Sequence, residues 1–467
     1  MTKYDLIVIG GGAGAFGAAI RANELQAKTA MINAGLPLGG TCVNVGCVPS
    51  KMLLYASEIL HVACNHGIPG IELDVRNFDF RKVVEDELAL VETLRNEKYS
   101  KILKGLEHVT FLEGRAKFVS QHEVEVNGES FRAEKFVIAT GSTASIPKIE
   151  GIRDAGFVTH IEALKLEKQP KELIIIGAGP LGLEFSQMYS RFGTKVTLLK
   201  RSPSIFPVSE NELAERLAQI LAQEGIAITR GIKFKKAWVE GGKKTVSFIL
   251  DGKEERVSAD EILLASGKTP NTAGLGLDKA GVQIDGTQAV VVNEFLQTSN
   301  PDVFAAGDAA GLPLRLEITA GHEGTLAAEN ALNCSRKGIN YDTVPYTIFT
   351  DPQLAGVGLT EEEQMKRFGT CMCHTIPFTD VPKAIITKRT EGLIKMAIHP
   401  ETRQITGVHI LAPHAGELVA GAMTLVKNAS TIDDVVESLP MFTTLAESIR
   451  LVALSFTKDI SKLSCCV

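Results

Sequence analysis

The sequence is short of the features that mark membrane, secreted or nucleic-acid-binding chains. No apolar run approaches the length of a membrane span. The first, Leu6–Ile9, stops at glycines, so it reads as a strand and not as the apolar core of a signal peptide. Charge excess is missing as well: 49 Lys and Arg against 55 Asp and Glu leave a net −6, too weak a field to select nucleic acid or an anionic membrane. Cysteine is sparse, eight in 467 residues, which excludes a secreted disulfide scaffold. These absences lead to the expectation of a cytoplasmic chain in which stable structural disulfides are rare. What remains is 45% hydrophobic residues, 22% charged and 43 Gly, the make-up of a globular α/β protein.

The glycines are concentrated in two places. Tyr4–Ile9 is a buried-type apolar run, followed by Gly10-Gly11-Gly12-Ala13-Gly14-Ala15, an Ala-rich helix and a second strand, Thr29–Asn33. The same unit recurs as Glu172–Ile176, then Gly177-Ala178-Gly179-Pro180-Leu181-Gly182, a helix to about Phe192, and Lys195–Lys200. In both copies the second strand ends 23 positions after the first Gly of the turn. A Gly-rich turn between strand and helix lets the backbone approach a pyrophosphate at the helix N-terminus, so two such units predict two nucleotide sites. The residue closing the second strand reports on the ribose. In the second copy it is Lys200, followed by Arg201, cations that suit the 2′-phosphate of NADPH. In the first it is Asn33, where an acid is usual but which can still bond a ribose hydroxyl.

Later apolar–Gly segments echo each unit: Phe136–Gly141, with Thr140, after the first, Ile262–Gly267 after the second, and Val303–Asp308 beyond. Pro147 to about Pro170 reads as a connector, and from about Tyr346 the texture changes to strands and a long late helix. The expected architecture is α/β with two Rossmann-like nucleotide-binding domains, for FAD (1–147 and 270–345) and NADPH (148–269). A C-terminal α+β dimerisation domain (346–467) completes it.

The most specific string is Gly39-Gly40-Thr41-Cys42-Val-Asn-Val-Gly-Cys47-Val-Pro-Ser-Lys51. Thiols five positions apart in a helical segment can form a disulfide or share a metal. A helix start favours the thiolate. With its flanks the string resembles the redox-active motif of the FAD-dependent pyridine nucleotide–disulfide oxidoreductases, and the resemblance covers essentially the whole chain. It implies electron flow from NADPH through FAD to Cys42 and Cys47, with Cys47 next to the flavin and Cys42 meeting the substrate. It places Lys51 beside the flavin N5, with Glu184 as its partner, and Asp308 on the ribityl chain. Ala116, Thr140 and Gly141 would line the FAD side and Gly267 the other nucleotide. It further implies a homodimer.

Two features bear on the substrate. Disulfide reductases of this family carry a His-Pro-Thr…Glu string whose His protonates a leaving thiolate. Here the matching string is Phe442-Thr-Thr-Leu-Ala-Glu447, and a ring of Phe cannot shuttle protons. General acid–base help is worth ~10²–10⁴-fold, so disulfide reduction is expected to suffer. The sequence ends Lys462-Leu-Ser-Cys465-Cys466-Val467. Adjacent Cα atoms lie about 3.8 Å apart, below the usual disulfide range of ~4.4–6.8 Å, so this pair suits a soft metal better than a disulfide. Both features resemble the mercuric-ion-reducing branch of the family, in a form without its N-terminal metal-binding domain. In that branch Tyr99 would lie near the metal. Cys465 and Cys466 would pass Hg(II), taken from a thiol complex, to Cys42 and Cys47 of the other subunit. A thioredoxin reductase-like disulfide reductase is the alternative, but it would need the His that Phe442 replaces. The other four cysteines, Cys64, Cys334, Cys371 and Cys373, are expected to be buried small residues, and Cys371-Met-Cys373-His374 is expected to be a strand without a role.

Overall fold

The computed structural model describes residues 2–206 and 209–464. Its first sheet has seven strands. Thr2–Ile9 lies between Thr29–Asn33 and Glu129–Ile138, parallel to both. Val109–Glu113 extends the parallel run at one side and Val303–Ala305 joins Glu129–Ile138. Glu123–Val126 and Ala116–Ser120 fold back antiparallel. Strands buried on both faces read as continuous apolar runs, and the alternation is still visible in what each residue packs against. Tyr4, Ile7 and Ile9 join one core, Leu6 and Val8 the other.

The second unit repeats this logic. Glu172–Ile176 pairs in parallel with Lys195–Lys200 and with Glu261–Leu264, and Ala227–Arg230 closes the four-stranded sheet. Leu173 and Ile175 face one core, Ile174 and Ile176 another. An antiparallel three-stranded sheet spans Lys233–Ala259. Ser142–Ala144 pairs with Lys268–Pro270, so the chain leaves and returns along one two-stranded ribbon. The segment read as a connector is more ordered than expected. It holds the short helices Ile152–Ala155 and His160–Ala163, and Val158 bridges to Leu263 of the sheet.

The last sheet is antiparallel, in the order Tyr346–Ile348, Gln353–Gly358, Ile405–Ala412, Leu393–Ile398, Met372–Pro377. The expected long late helix is three helices, Ala415–Lys427, Ile432–Glu437 and Glu447–Leu454. A Thr431 capping box starts the second and the stretch around Pro440 separates it from the third. Among the described residues no helix is long and apolar enough to cross a membrane.

The cysteines depart from expectation. Cys64 and Cys334 are exposed rather than buried, and Cys371 and Cys373 are half-buried and joined as a disulfide. Cys371 and Cys373 lie at the start of the sheet's edge strand, where alternation brings residues two apart to the same side. Cys64 lies in the last turn of Cys47–Asn65, on a solvent-facing side. Cys334 follows the helix Glu317–Asn333 in a left-handed conformation.

Candidate functional site

The thiol motif is built against the first Gly-rich turn. Gly39 N–H donates to the Gly11 carbonyl at 2.7 Å, and a Cβ on Gly40 would lie 2.7 Å from Gly12 Cα. Gly39 and Gly40 both have positive φ, 93° and 60°, where glycine is favoured. A short helix, Gly40–Val45, carries Cys42; the chain breaks at Gly46, and Cys47 opens the long helix Cys47–Asn65. No side chain caps that helix, and its positive N-terminal end together with the backbone N–H of Cys47 itself favours the Cys47 anion.

Both thiols are free, Cys42 half-buried and Cys47 exposed. A hydrogen bond between them divides their acidity. Cys47 is held below the ordinary thiol range by the Cys42 hydrogen bond and the nearby Lys51 ammonium, against desolvation and the Glu317 charge. Cys42 is pushed far up, because it donates to Cys47 and is desolvated. Cys47 is the more acidic of the two, and Cys42 holds its proton the more firmly.

Lys51 lies one helical turn beyond Cys47. Its Nζ donates to Glu184 Oε2 at 2.8 Å and sits 4.5 Å from the centre of the Phe349 ring. The other oxygen, Glu184 Oε1, accepts the Phe349 N–H at 2.9 Å. One buried carboxylate therefore joins the thiol helix, the second unit's helix Pro180–Arg191 and the entry to the C-terminal sheet. Tyr99 falls on a π-turn, Asn96–Ser100, a distortion common at functional positions. Its ring packs edge-on against Phe16 at 5.0 Å and touches the space at Gly39. Burial, with the neighbouring thiol pair adding to it, pushes its hydroxyl up to about 12, so it is a neutral donor.

Sequence reasoning missed Glu317 and Phe349 as parts of this site. Glu317 opens the helix Glu317–Asn333, and its charge acts on Cys42, Cys47 and Tyr99 alike. An exposed Glu at a helix start gives no local signal of that role. Phe349 is an apolar residue in the sequence, and nothing local signals that its backbone N–H holds Glu184.

The two nucleotide turns fit their ligands. The helices Ala13–Glu24 and Pro180–Arg191 begin at Gly12 and Gly179 with no side-chain cap, leaving backbone N–H groups for a pyrophosphate. A Cβ on Gly179 would meet nothing within 4 Å, and the same holds at Gly141 and Gly267. Ala15 and Gly182 serve close packing: Ala15 is buried, and a Cβ on Gly182 would strike the Gly177 carbonyl. Gly10 and Gly14 press on Ala139 and Ala320 in the same way. Leu181 is partly buried against the second unit's core. Asn33 Nδ2 donates to the Leu36 carbonyl at 3.0 Å, which leaves Oδ1 as an acceptor. Asp308 Oδ2 accepts from Ser142 Oγ at 2.5 Å, and Thr140 Oγ1 bonds the Asn271 carbonyl at 2.8 Å. Ala116 is a core residue whose side chain is buried. Lys200 and Arg201 part company: Lys200 Nζ is turned onto the Ile205 carbonyl and its acidity is raised by burial, while Arg201 is exposed.

Phe442 is half-exposed, on a segment whose Leu439 and Met441 are more exposed still. Among the described residues Glu447 Oε2 is buried without a partner, and burial raises its pKa. Cys465 and Cys466 lie outside the described residues.

Residues 4–333 match the family described as pyridine nucleotide-disulphide oxidoreductase, and residues 344–453 match its dimerisation domain. Over 464 residues the chain is 38% identical to the mercuric reductase of Lysinibacillus sphaericus, covering 99% of this chain and 84% of that protein. It is 36% identical over 463 residues to the mercuric reductase of Staphylococcus aureus, again covering 99% and 84%. The dihydrolipoyl dehydrogenase of Thermus scotoductus is 37% identical over 468 residues, 98% of each. Among solved structures, the HOCl-induced flavoprotein disulfide reductase RclA from Escherichia coli superposes with a TM-score of 0.86 at 25% identity, covering 97% of this chain and 100% of that one.

Proposed function

The chain belongs to the pyridine nucleotide–disulphide oxidoreductase family, and on that premise we propose that it is a mercuric reductase, taking Hg(II) to Hg(0) with two electrons from NADPH. FAD and NADPH are its cofactors. The observation that carries the substrate is a thiol pair in which Cys47 is acidified and Cys42 is not, combined with a half-exposed Phe442 where the disulfide reductases it resembles have His. The charged side chains that act on the pair are Lys51 and Glu317, and at the position where those reductases carry their proton donor Phe442 has no proton to give. A leaving thiolate would find no acid here. A bound soft cation needs none.

The turn at 10–15, Asn33 and Asp308 would hold FAD, and the turn at 177–182 with Arg201 would hold NADPH. FAD, when bound, supplies two-electron transfer between NADPH and the thiol pair. The chain's own groups do the rest. The Cys47 thiolate is the first ligand to the soft cation, and Cys42 becomes the second by losing its proton. Lys51, fixed by Glu184, keeps positive charge beside Cys47. Tyr99, a neutral donor next to Cys42, orients charge at the entrance. Cys465 and Cys466 of one subunit take Hg(II) from small-thiol complexes and hand it to Cys42 and Cys47 of its partner. The sum is NADPH and Hg(II) to NADP⁺, a proton and Hg(0).

The test is anaerobic. The flavin-loaded enzyme is given NADPH, Hg(II) and excess thiol, and release of volatile mercury is followed beside reduction of small disulfides. Mercury release with negligible disulfide turnover is expected, and slower uptake from thiol complexes in the Cys465→Ala/Cys466→Ala variant. Disulfide turnover without Hg(0) release overturns the proposal in favour of a disulfide reductase.

A further inference from the structure

A second group of soft donors lies on the C-terminal sheet. Cys371 and Cys373 begin its edge strand, Met372–Pro377, with Cα atoms 5.8 Å apart and their side chains on one side. The helix Glu361–Phe368 places the Glu361 carboxylate over them, so that two sulfurs and one carboxylate oxygen all lie within 4.8 Å of one another. Both cysteines are half-buried and Glu361 is exposed, so small solutes reach the group.

The surroundings fix the carboxylate and leave negative charge. Glu361 Oε2 accepts from the buried Lys395 Nζ at 2.5 Å, and among the described residues Oε1 has no hydrogen-bond partner. Lys395 also contacts Glu210 at 3.2 Å and Glu212 at 4.0 Å. One ammonium among three carboxylates leaves a field that favours a further cation.

Gln364 speaks to the redox state. It is fully buried, and its Nε2 donates to the Ile398 carbonyl at 3.3 Å and to Thr406 Oγ1. Thr406 Oγ1 spends its own proton on the Ala397 carbonyl at 3.1 Å, so both partners can only accept. The amide orientation is thereby fixed, and Gln364 Oε1 faces Cys373 Sγ at 3.9 Å. A disulfide sulfur has no hydrogen to give that buried oxygen; a thiol has. The site therefore favours the dithiol over the disulfide. Cation binding removes the thiol proton again, so Gln364 aids reduction and does not itself hold the ion.

We propose that, in the reduced protein, Cys371, Cys373 and Glu361 form a binding site for one soft divalent metal ion, separate from the Cys42/Cys47 centre. Two thiolates and one carboxylate suit the zinc, cadmium and mercury class and disfavour magnesium or calcium. The steps balance with a small-molecule thiol as reductant. Two such thiols reduce the Cys371–Cys373 disulfide and leave as their own disulfide. The cation then displaces the two cysteine protons. The inference stands on these residues alone and does not depend on the mercury reading.

The test uses full-length, flavin-loaded enzyme reduced with excess thiol, freed of it anaerobically, and loaded with Cd(II). Wild type is expected to retain one more Cd(II) per chain than Cys371→Ser/Cys373→Ser, with flavin content and flavin reduction by NADPH equal in both. Equal cadmium content overturns the site. Glu361→Gln is expected to weaken Cd(II) binding at this site by at least about tenfold, the lower end of what losing even a neighbour of a metal ligand costs. Unchanged affinity removes Glu361 and with it the site as drawn. Alkylation of wild type needs no variant: Cd(II) should shield Cys371 and Cys373 from iodoacetamide, read by peptide mass. Equal labelling with and without Cd(II), or a pair that thiol does not reduce, overturns the proposal.

Discussion

The two Gly-rich units share a spacing and differ in what surrounds them. The first turn's helix, Ala13–Glu24, crosses Glu317–Asn333 backbone against backbone. A Cβ on Gly17 would lie 2.1 Å from the Gly321 carbonyl oxygen, and one on Gly324 would lie 1.9 Å from that of Gly14. In the second turn's helix, Pro180–Arg191, the glycine Gly182 meets the carbonyl of its own turn, Gly177, and not a second helix. Gly179 opens onto free space. Instead that helix reaches outward with polar side chains: Glu184 to Lys51 and Phe349, Gln187 to Asp351, and buried Arg191 to Glu224 and Asp351. One motif thus serves two ends. In the first unit glycine closes the core around the turn, and in the second the helix is the bracket that ties the thiol helix to the C-terminal sheet.

The sharpest way to break that contrast is to add one methyl group to each. Gly17→Ala meets main chain that cannot turn aside, so the two helices must part. We expect the unfolding midpoint and the retained flavin to drop together, with a cost at or above the ~1–3 kcal/mol typical of overpacking. Gly179→Ala should leave stability within about 1 kcal/mol, the scale of a helix-cap change, and keep its flavin. Its KM for NADPH should rise about tenfold, because the added methyl group weakens one charge-assisted hydrogen bond to the pyrophosphate. Equal losses of stability in both variants would show that the two turns are built alike.

Much of this was legible in the sequence. Apolar runs that stop at glycines mark the central strands, and the string holding Cys42, Cys47 and Lys51 carries the family resemblance that singles those residues out. The crossing of the first unit also had a signal, because Gly14–Gly17 and Gly321–Gly324 are both glycine pairs three apart on helices. Contacts across long separations had none. Glu317 beside the thiols, and Phe349 on Glu184 165 positions away, follow from how the sheets pack and not from any run of residues. Cys371 and Cys373 were misread because a half-buried edge strand has the same alternation whether its small residues are inert or paired. The late helix was drawn too long because apolar spacing continues through the break near Pro440.

A second contrast sits where the units meet. Lys51 belongs to the first and Glu184 to the second, and they should act on Cys47 with opposite sign. Lys51→Ala removes a cation that helps hold the thiol below its ordinary range, so the midpoint for Cys47 alkylation should move to higher pH. Glu184→Gln leaves Lys51 uncompensated while its amide oxygen still accepts from Phe349, so the midpoint should move to lower pH. Shifts of one sign in both variants would mean that the carboxylate acts through position alone.

Smaller effects are expected where each second strand ends. Arg201 is exposed, whereas Lys200 is turned onto the Ile205 carbonyl. Arg201→Ala should raise KM for NADPH about tenfold, from an ionic hydrogen bond of ~1.5–3 kcal/mol partly screened by solvent, and leave KM for NADH nearly unchanged. Lys200→Ala should do less to either. The reverse order would show that the 200–206 loop opens to release Lys200 when the nucleotide binds.

Asn33, at the matching position of the first unit, should matter least. The side chain both accepts and donates: Oδ1 is open, and Nδ2 holds the Leu36 carbonyl at 3.0 Å. Asn33→Asp gives a ribose hydroxyl a stronger acceptor, but sets a carboxylate oxygen against that carbonyl and loses a bond of ~0.5–1.5 kcal/mol. The two effects are of one size, so the Kd for FAD should stay within about threefold of wild type. A tenfold tighter Kd would mean that the ribose hydrogen bond outweighs the loop, and a tenfold weaker one that Leu36 is held by Asn33 alone. The first unit tolerates the change because the Gly17–Gly321 crossing, and not this one polar side chain, sets the shape of its turn.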